Sequence, residues 1–149
     1  KNPLTRAVRI DKLTLAAFEA TLMEYVDLEK AVENIPTLRM LLQKPETIKE
    51  RAKRMASGIK RHIKNAGVAV VPDTSKAGGG SLPEMEFPTY AVAIRPEGIS
   101  VNELEERLRK GAPPIIARIK DDALLLDART VRNEEMEELV KGVHAALYL

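Results

Sequence analysis

Cysteine is absent from the 149 residues, which excludes disulfides and thiolate metal sites. Tryptophan is absent as well, and aromatic residues make up only 3% of the chain, so any core must be aliphatic. His62 and His144 are the only histidines and stand far apart in the chain, so no metal site is expected. No apolar run approaches a membrane span and no secretory signal heads the chain, which makes a membrane partner unexpected and the cytoplasm the expected compartment. What remains is an ordinary globular profile, 44% apolar and 31% charged, with a net charge of only +2.

The apolar residues are strongly patterned. Leu15, Phe18, Leu22 and Val26 recur at helical spacing, and Leu13, Ala16, Ala17, Ala20 and Met23 fill most of the remaining circumference. A helix apolar on nearly every side needs burial on nearly every side, so part of its packing partner is expected to be missing. Asp27 can cap a short second helix that Pro36 ends. Residues 37–43, TLRMLLQ, read as an extended or irregular crossing into a compact domain. Pro45 then suits the first position of a third helix, whose buried stripe is Ile48, Ala52, Met55, Ile59 and Ile63, with Gly67 as a left-handed cap.

Beyond residue 67 the pattern changes. Val68–Val71 and Thr89–Arg95 read as strands, separated by turn chemistry over residues 73–83. Ser100 with Glu103 predicts a capping box, and Gly111 closes that helix. Ile115–Ile119 and Ala123–Asp127 read as a hairpin, and Asn133 can cap a last helix buried through Met136, Leu139, Val140, Val143 and Leu147. The order α-β-β-α-β-β-α predicts an α+β fold, a small and mostly antiparallel sheet with helices on one face. Residues 44–149 are expected to form this domain, and residues 1–43 a long interdomain helix with its linker.

Charge is distributed unevenly. Arg6 and Arg9, three apart, can share one side and present two planar donors to a tetrahedral oxyanion, although spacing alone also allows plain surface charges. Residues 44–64 hold eight basic residues against two acidic ones, among them Lys53, Arg54, Lys60 and Arg61. Such a face can meet nucleic-acid phosphates or simply face solvent. Gly78, Gly79, Gly80 and Ser81 allow close backbone approach but match no nucleotide fingerprint and read equally as a flexible connection. Arg118 shares a strand face with Ile116 and can snorkel there, while Arg129 is expected to pair with Asp127 or another neighbouring acid.

Four stretches carry a family resemblance in order: NPLTRAVRIDKLTLAAFEATL, ENIPTLRMLLQKPETI, GGGSLP and PPIIARIKDDALLLDARTV. They resemble the bacterial selenocysteine synthases, L-seryl-tRNA(Sec) selenium transferases, which are pyridoxal-phosphate enzymes of the aspartate aminotransferase-like fold. The resemblance implies the small C-terminal domain of a fold-type I enzyme and a full-length transferase that forms homo-oligomers. Its reaction replaces the hydroxyl of seryl-tRNA(Sec) by selenium from selenophosphate. Arg6 and Arg9 would hold that anion, and Arg118 would stand at the rim of the active site. The family's cofactor lysine lies in a GDKLLGGPQAG-type stretch, and nothing in this chain is similar to it. The chain is therefore expected to be a C-terminal piece, to contain no catalytic residue of its own, to need the remainder of the enzyme as partner, and to be inactive alone. The rival expectation is a stand-alone α+β RNA-binding module that uses the basic helix over 44–64.

Overall fold

The computed structural model describes residues 3–78 and 84–148. It divides into two compact units, Lys1–Leu42 and Gln43–Leu149.

The first unit is helical among its described residues: α1 (Pro3–Ala7), α2 (Lys12–Glu24), α3 (Leu28–Asn34) and α4 (Pro36–Leu42). Asp11 starts α2 by accepting the Leu13 and Thr14 N–H groups at 2.9 Å, while its second oxygen takes the Thr14 hydroxyl at 2.6 Å. These bonds, the Thr14 hydroxyl first, hold the Asp11 carboxyl below its ordinary value. Asp27 caps α3 through the Lys30 N–H, as the sequence suggested. Asn34 ties α3 back to Glu24 of α2 at 2.8 Å. The crossing expected over residues 37–43 is instead the helix α4. Pro36 at a helix start costs no intrahelical bond, and Thr37–Leu42 contains neither glycine nor a further proline to interrupt the turn. No residue of α2 is buried; Leu13 is 84% exposed, Phe18 57% and Val26, just beyond it, 80%.

The second unit follows the expected order: α5 (Pro45–His62), β1 (Ala66–Lys76), β2 (Glu86–Pro96), α6 (Val101–Lys110), β3 (Arg118–Lys120), β4 (Ala123–Asp127) and α7 (Met136–Tyr148). The strands form one antiparallel sheet in the order β1-β2-β4-β3. Register assigns the faces. Val68, Ile94 and Leu124 lie in one cross-strand row and Val70, Val92 and Leu126 in the next. Both rows pack on Ile48, Met55 and Ile59 of α5, Leu104 and Leu108 of α6, and Val143 and Leu147 of α7. All three helices thus cover one face. The opposite face has a floor of Ala91, Ala93, Ala123 and Leu125, all buried.

Differences from the sequence pattern have local causes. β1 runs through Pro72 to Lys76, past the expected stop at Val71. A strand at a sheet edge is paired on one side only, so the missing proline N–H costs it nothing there. Gly67 lies inside β1 rather than capping α5, which ends at Ile63 with extended backbone. β3 starts at Arg118 instead of Ile115, because Pro113 and Pro114 offer no N–H to a ladder and the Ile115 N–H is taken by the Leu108 carbonyl at 2.9 Å. The β3–β4 hairpin turns on Asp121 and Asp122, at φ of 51° and 55°, the left-handed pair that a two-residue hairpin of type I′ requires. Ser100 caps α6 through the Glu103 N–H at 3.1 Å, while the Glu103 carboxylate turns to Arg107. Asn133 does not cap α7, which begins three residues later; its side chain accepts Arg54 Nη2 at 3.2 Å.

Candidate functional site

The open face of the sheet carries a connected polar cluster at the end where β4 stops. Cross-strand pairing puts Asp73 opposite Thr89, Val71 opposite Ala91, and Ala91 opposite Asp127. Asp127 accepts Ser75 Oγ at 2.6 Å, Thr89 Oγ1 at 2.7 Å and the Arg129 backbone N–H at 3.0 Å. Arg129 therefore meets Asp127 through its main chain. Its side chain is 6% exposed, donates to the Pro88 carbonyl at 2.7 Å and to Ser75 Oγ at 3.3 Å, and lies 5.8 Å over the Phe87 ring. Burial pushes the Arg129 guanidinium below its ordinary value, and the Asp127 charge opposes that shift.

Arg118 does not merely snorkel. It donates to Asp73 at 2.7 Å and stands 3.8 Å from Asp127, while Lys120 reaches Asp73 at 3.3 Å. Arg118 is half exposed and the Asp73 side chain is buried, and register puts both on the sheet face that carries the alanine floor. Burial works to raise the Asp73 carboxyl. The Thr74 N–H, Lys120 and Arg118 outweigh it, and the group stays below its ordinary 3.8. A depressed carboxyl stabilises the fold above its unfolded value, and that contribution disappears as pH falls through the folded one. Asp73→Asn is therefore expected to lower melting temperature at neutral pH and to converge with the parent as pH falls below 3.8 and through the depressed folded value; parallel curves across the acid range in calorimetry would contradict this.

The remaining predicted residues are more scattered. Arg6 closes α1 and Arg9 lies in the link before Asp11; both are exposed, and neither makes a hydrogen bond or ion pair among the described residues. On α5, Lys53 pairs with Glu50 at 2.6 Å and Arg54 with Asn133, while Lys60 and Arg61 are exposed and make no such contact among the described residues. Arg51 is spent on structure, donating to Gln43 Oε1 and to the Ala128 carbonyl. His62 is exposed, and His144 stacks at 4.7 Å on Tyr148. Gly78 is exposed, whereas Gly79, Gly80 and Ser81 lie outside the described residues. No group of histidine and carboxylate side chains able to hold a metal occurs among the described residues, and no described helix is long and apolar enough to cross a membrane.

Sequence reasoning missed Asp73, Ser75 and Thr89. The only available signal was alternation along β4, which places Leu124 and Leu126 toward the helices and hence Asp127 on the opposite face.

Comparison with known proteins decides the family. The model of the L-seryl-tRNA selenium transferases matches residues 1–132. The chain belongs to this family. Curated members of similar sequence include the L-seryl-tRNA(Sec) selenium transferases of Aquifex aeolicus, 47% identical over 147 residues, and Alkaliphilus oremlandii, 44% identical over 147 residues. Each of these alignments covers 99% of this chain and 32% of the relative. The Moorella thermoacetica transferase is 46% identical, over 98% of this chain and 31% of its own length. The chain thus spans about a third of the length of the family members it matches.

Proposed function

We propose that these residues form the C-terminal part of a selenium transferase that converts seryl-tRNA(Sec) to selenocysteinyl-tRNA(Sec) with selenophosphate. The observation that carries this reading is the family match over residues 1–132, which includes the arginine pair. In this reading α2 packs against the remainder of the enzyme. Arg6 and Arg9 bind the selenium-donating anion through charge-assisted hydrogen bonds, which suit a tetrahedral oxyanion. Arg118 is an active-site rim residue in this reading, and the full-length protein assembles as a cytoplasmic homo-oligomer.

The family reading implies pyridoxal phosphate. The described residues do not by themselves fit that group: every described lysine is exposed, and none lies in an enclosed cavity where a Schiff base would be shielded from water. The lysine that holds the cofactor is accordingly proposed to belong to the rest of the enzyme, and the 149-residue chain to be inactive alone. Selenocysteinyl-tRNA formation by the full-length protein, and none by the chain alone, is the expected result. Pyridoxal absorbance retained by the isolated chain and made covalent by borohydride would refute the assignment.

The basic face of α5 is proposed as a tRNA contact made by Lys53, Arg54, Lys60 and Arg61 through phosphates only, since α5 contains no Phe, Tyr or Trp. Replacing Lys60 and Arg61 by glutamate in the full-length enzyme should weaken tRNA binding and flatten its salt dependence by roughly one logarithmic unit per lost contact. An unchanged salt slope in filter binding would assign this face to solvent.

A further inference from the structure

Asp127 joins elements that the sheet itself does not connect. β1 and β4 are not neighbours in the strand order, yet Ser75 of β1 bonds the Asp127 carboxylate at 2.6 Å. This contact requires the β1–β2 ribbon to curl toward β4 past residue 91, where β2 ceases to pair with β4. Thr89 of β2 and the Arg129 N–H both bond the other carboxylate oxygen, and Arg118 approaches from β3. Ser75, Lys76, Arg118, Asp127 and Thr130 all line one open cleft of about 440 Å³.

We infer that Asp127 is a positioning residue, whose carboxylate fixes the Arg118 guanidinium and the Ser75 end of the ribbon at a set separation across this cleft. A long arginine side chain at a half-exposed site ordinarily samples many rotamers. Arg118 instead donates to Asp73 at 2.7 Å with the Asp127 charge as a second attraction 3.8 Å away, and Asp127 is itself immobilised by three donors from three segments. Removing the Asp127 charge loosens one side of Arg118, and it also weakens the bonds from Ser75 and Thr89 that hold the curled ribbon. The inference rests on the reading of Arg118 as a rim cation of the transferase.

The test uses Asp127→Asn, Asp127→Glu, Ser75→Ala and Arg118→Gln, with two readouts. In the 149-residue chain, the Arg118 Nε resonance reports how the guanidinium is held. In the full-length enzyme, single-turnover selenium transfer reports the consequence. Asp127→Asn is expected to move and broaden the Arg118 resonance and to slow transfer about tenfold, with partial recovery in Asp127→Glu. Combined with Arg118→Gln it should add no loss beyond that of Arg118→Gln, because the Asp127 change acts on transfer only through the cation that Arg118→Gln already removes. Should Asp127→Asn fail to fold, Ser75→Ala removes one of the three donors and is expected to shift the same resonance more weakly. An Arg118 resonance unmoved in the folded variants, or losses that multiply in the double variant, overturns the inference. If Arg118→Gln transfers selenium normally while the resonance still moves in Asp127→Asn, the positioning stands and the rim assignment of Arg118 falls instead.

Discussion

Replacing Arg6 and Arg9 together by glutamine in the full-length enzyme is expected to lower selenium transfer by roughly two to four orders of magnitude. The figure comes from losing two charge-assisted hydrogen-bonding groups, at about 1.5–3 kcal/mol each, with tenfold in rate for each 1.4 kcal/mol. The same double change should leave the melting of the chain unaltered, since both side chains are exposed and neither bonds another described residue. That combination matters because an arginine that supports a fold usually has partners within it. The single variants should each cost less than half of the combined loss on a logarithmic scale if one arginine can partly hold the anion alone. The measurement is transfer at saturating and limiting selenophosphate. A loss confined to limiting donor marks pure binding, and a loss that persists at saturation marks an interaction strengthened in the transition state. Wild-type rates in the double variant would return both residues to the plain surface-charge reading.

The candidate residues differ in how far residue order exposes them. Arg6 and Arg9 are three apart and are visible as a pair in any conformation. The buried stripes of α5, α6 and α7 are visible for the same reason, since helical period places their members within one or two turns. Strand limits were harder to see. Pro72 and Asp73 look like turn residues, and only their place on an edge strand allows β1 to continue through them. The run over residues 37–43 errs in the other sense, reading as extended where residues 37–42 are helical, because a short apolar run between prolines carries too few periods to separate helix from extended chain. Of the Asp127 cluster, only Asp127 and Arg129, two residues apart, are legible as neighbours. Ser75 and Thr89 lie 52 and 38 residues from Asp127; Thr89 reaches it as a diagonal neighbour on β2, and Ser75 from the non-adjacent β1. Single hydroxyls on separate strands leave no local pattern.

Leu124→Ala and Phe18→Ala, made separately in the 149-residue chain, are expected to differ sharply in stability. Leu124 is fully buried at the centre of the sheet, packed among residues of α5, α6 and α7. Truncating it removes apolar contact and leaves a cavity that the surrounding aliphatic side chains fill only in part. The cost is about 2–5 kcal/mol, or roughly 10–25 °C in melting temperature for a unit of this size. Phe18 is a larger side chain, yet 57% of it is open to water in this chain, and its loss should change stability by no more than about 0.5 kcal/mol. In the full-length enzyme the ranking should tighten. If α2 is covered there by the remainder of the protein, Phe18→Ala acquires a cavity cost of its own, about 3–5 kcal/mol. Thermal melts of both variants, in the chain and in the full-length enzyme, separate the cases. Phe18→Ala that destabilises the chain as much as Leu124→Ala would mean that α2 already finds its burial within these residues. Phe18→Ala that is silent in both proteins would mean that its apolar surface has no partner in either.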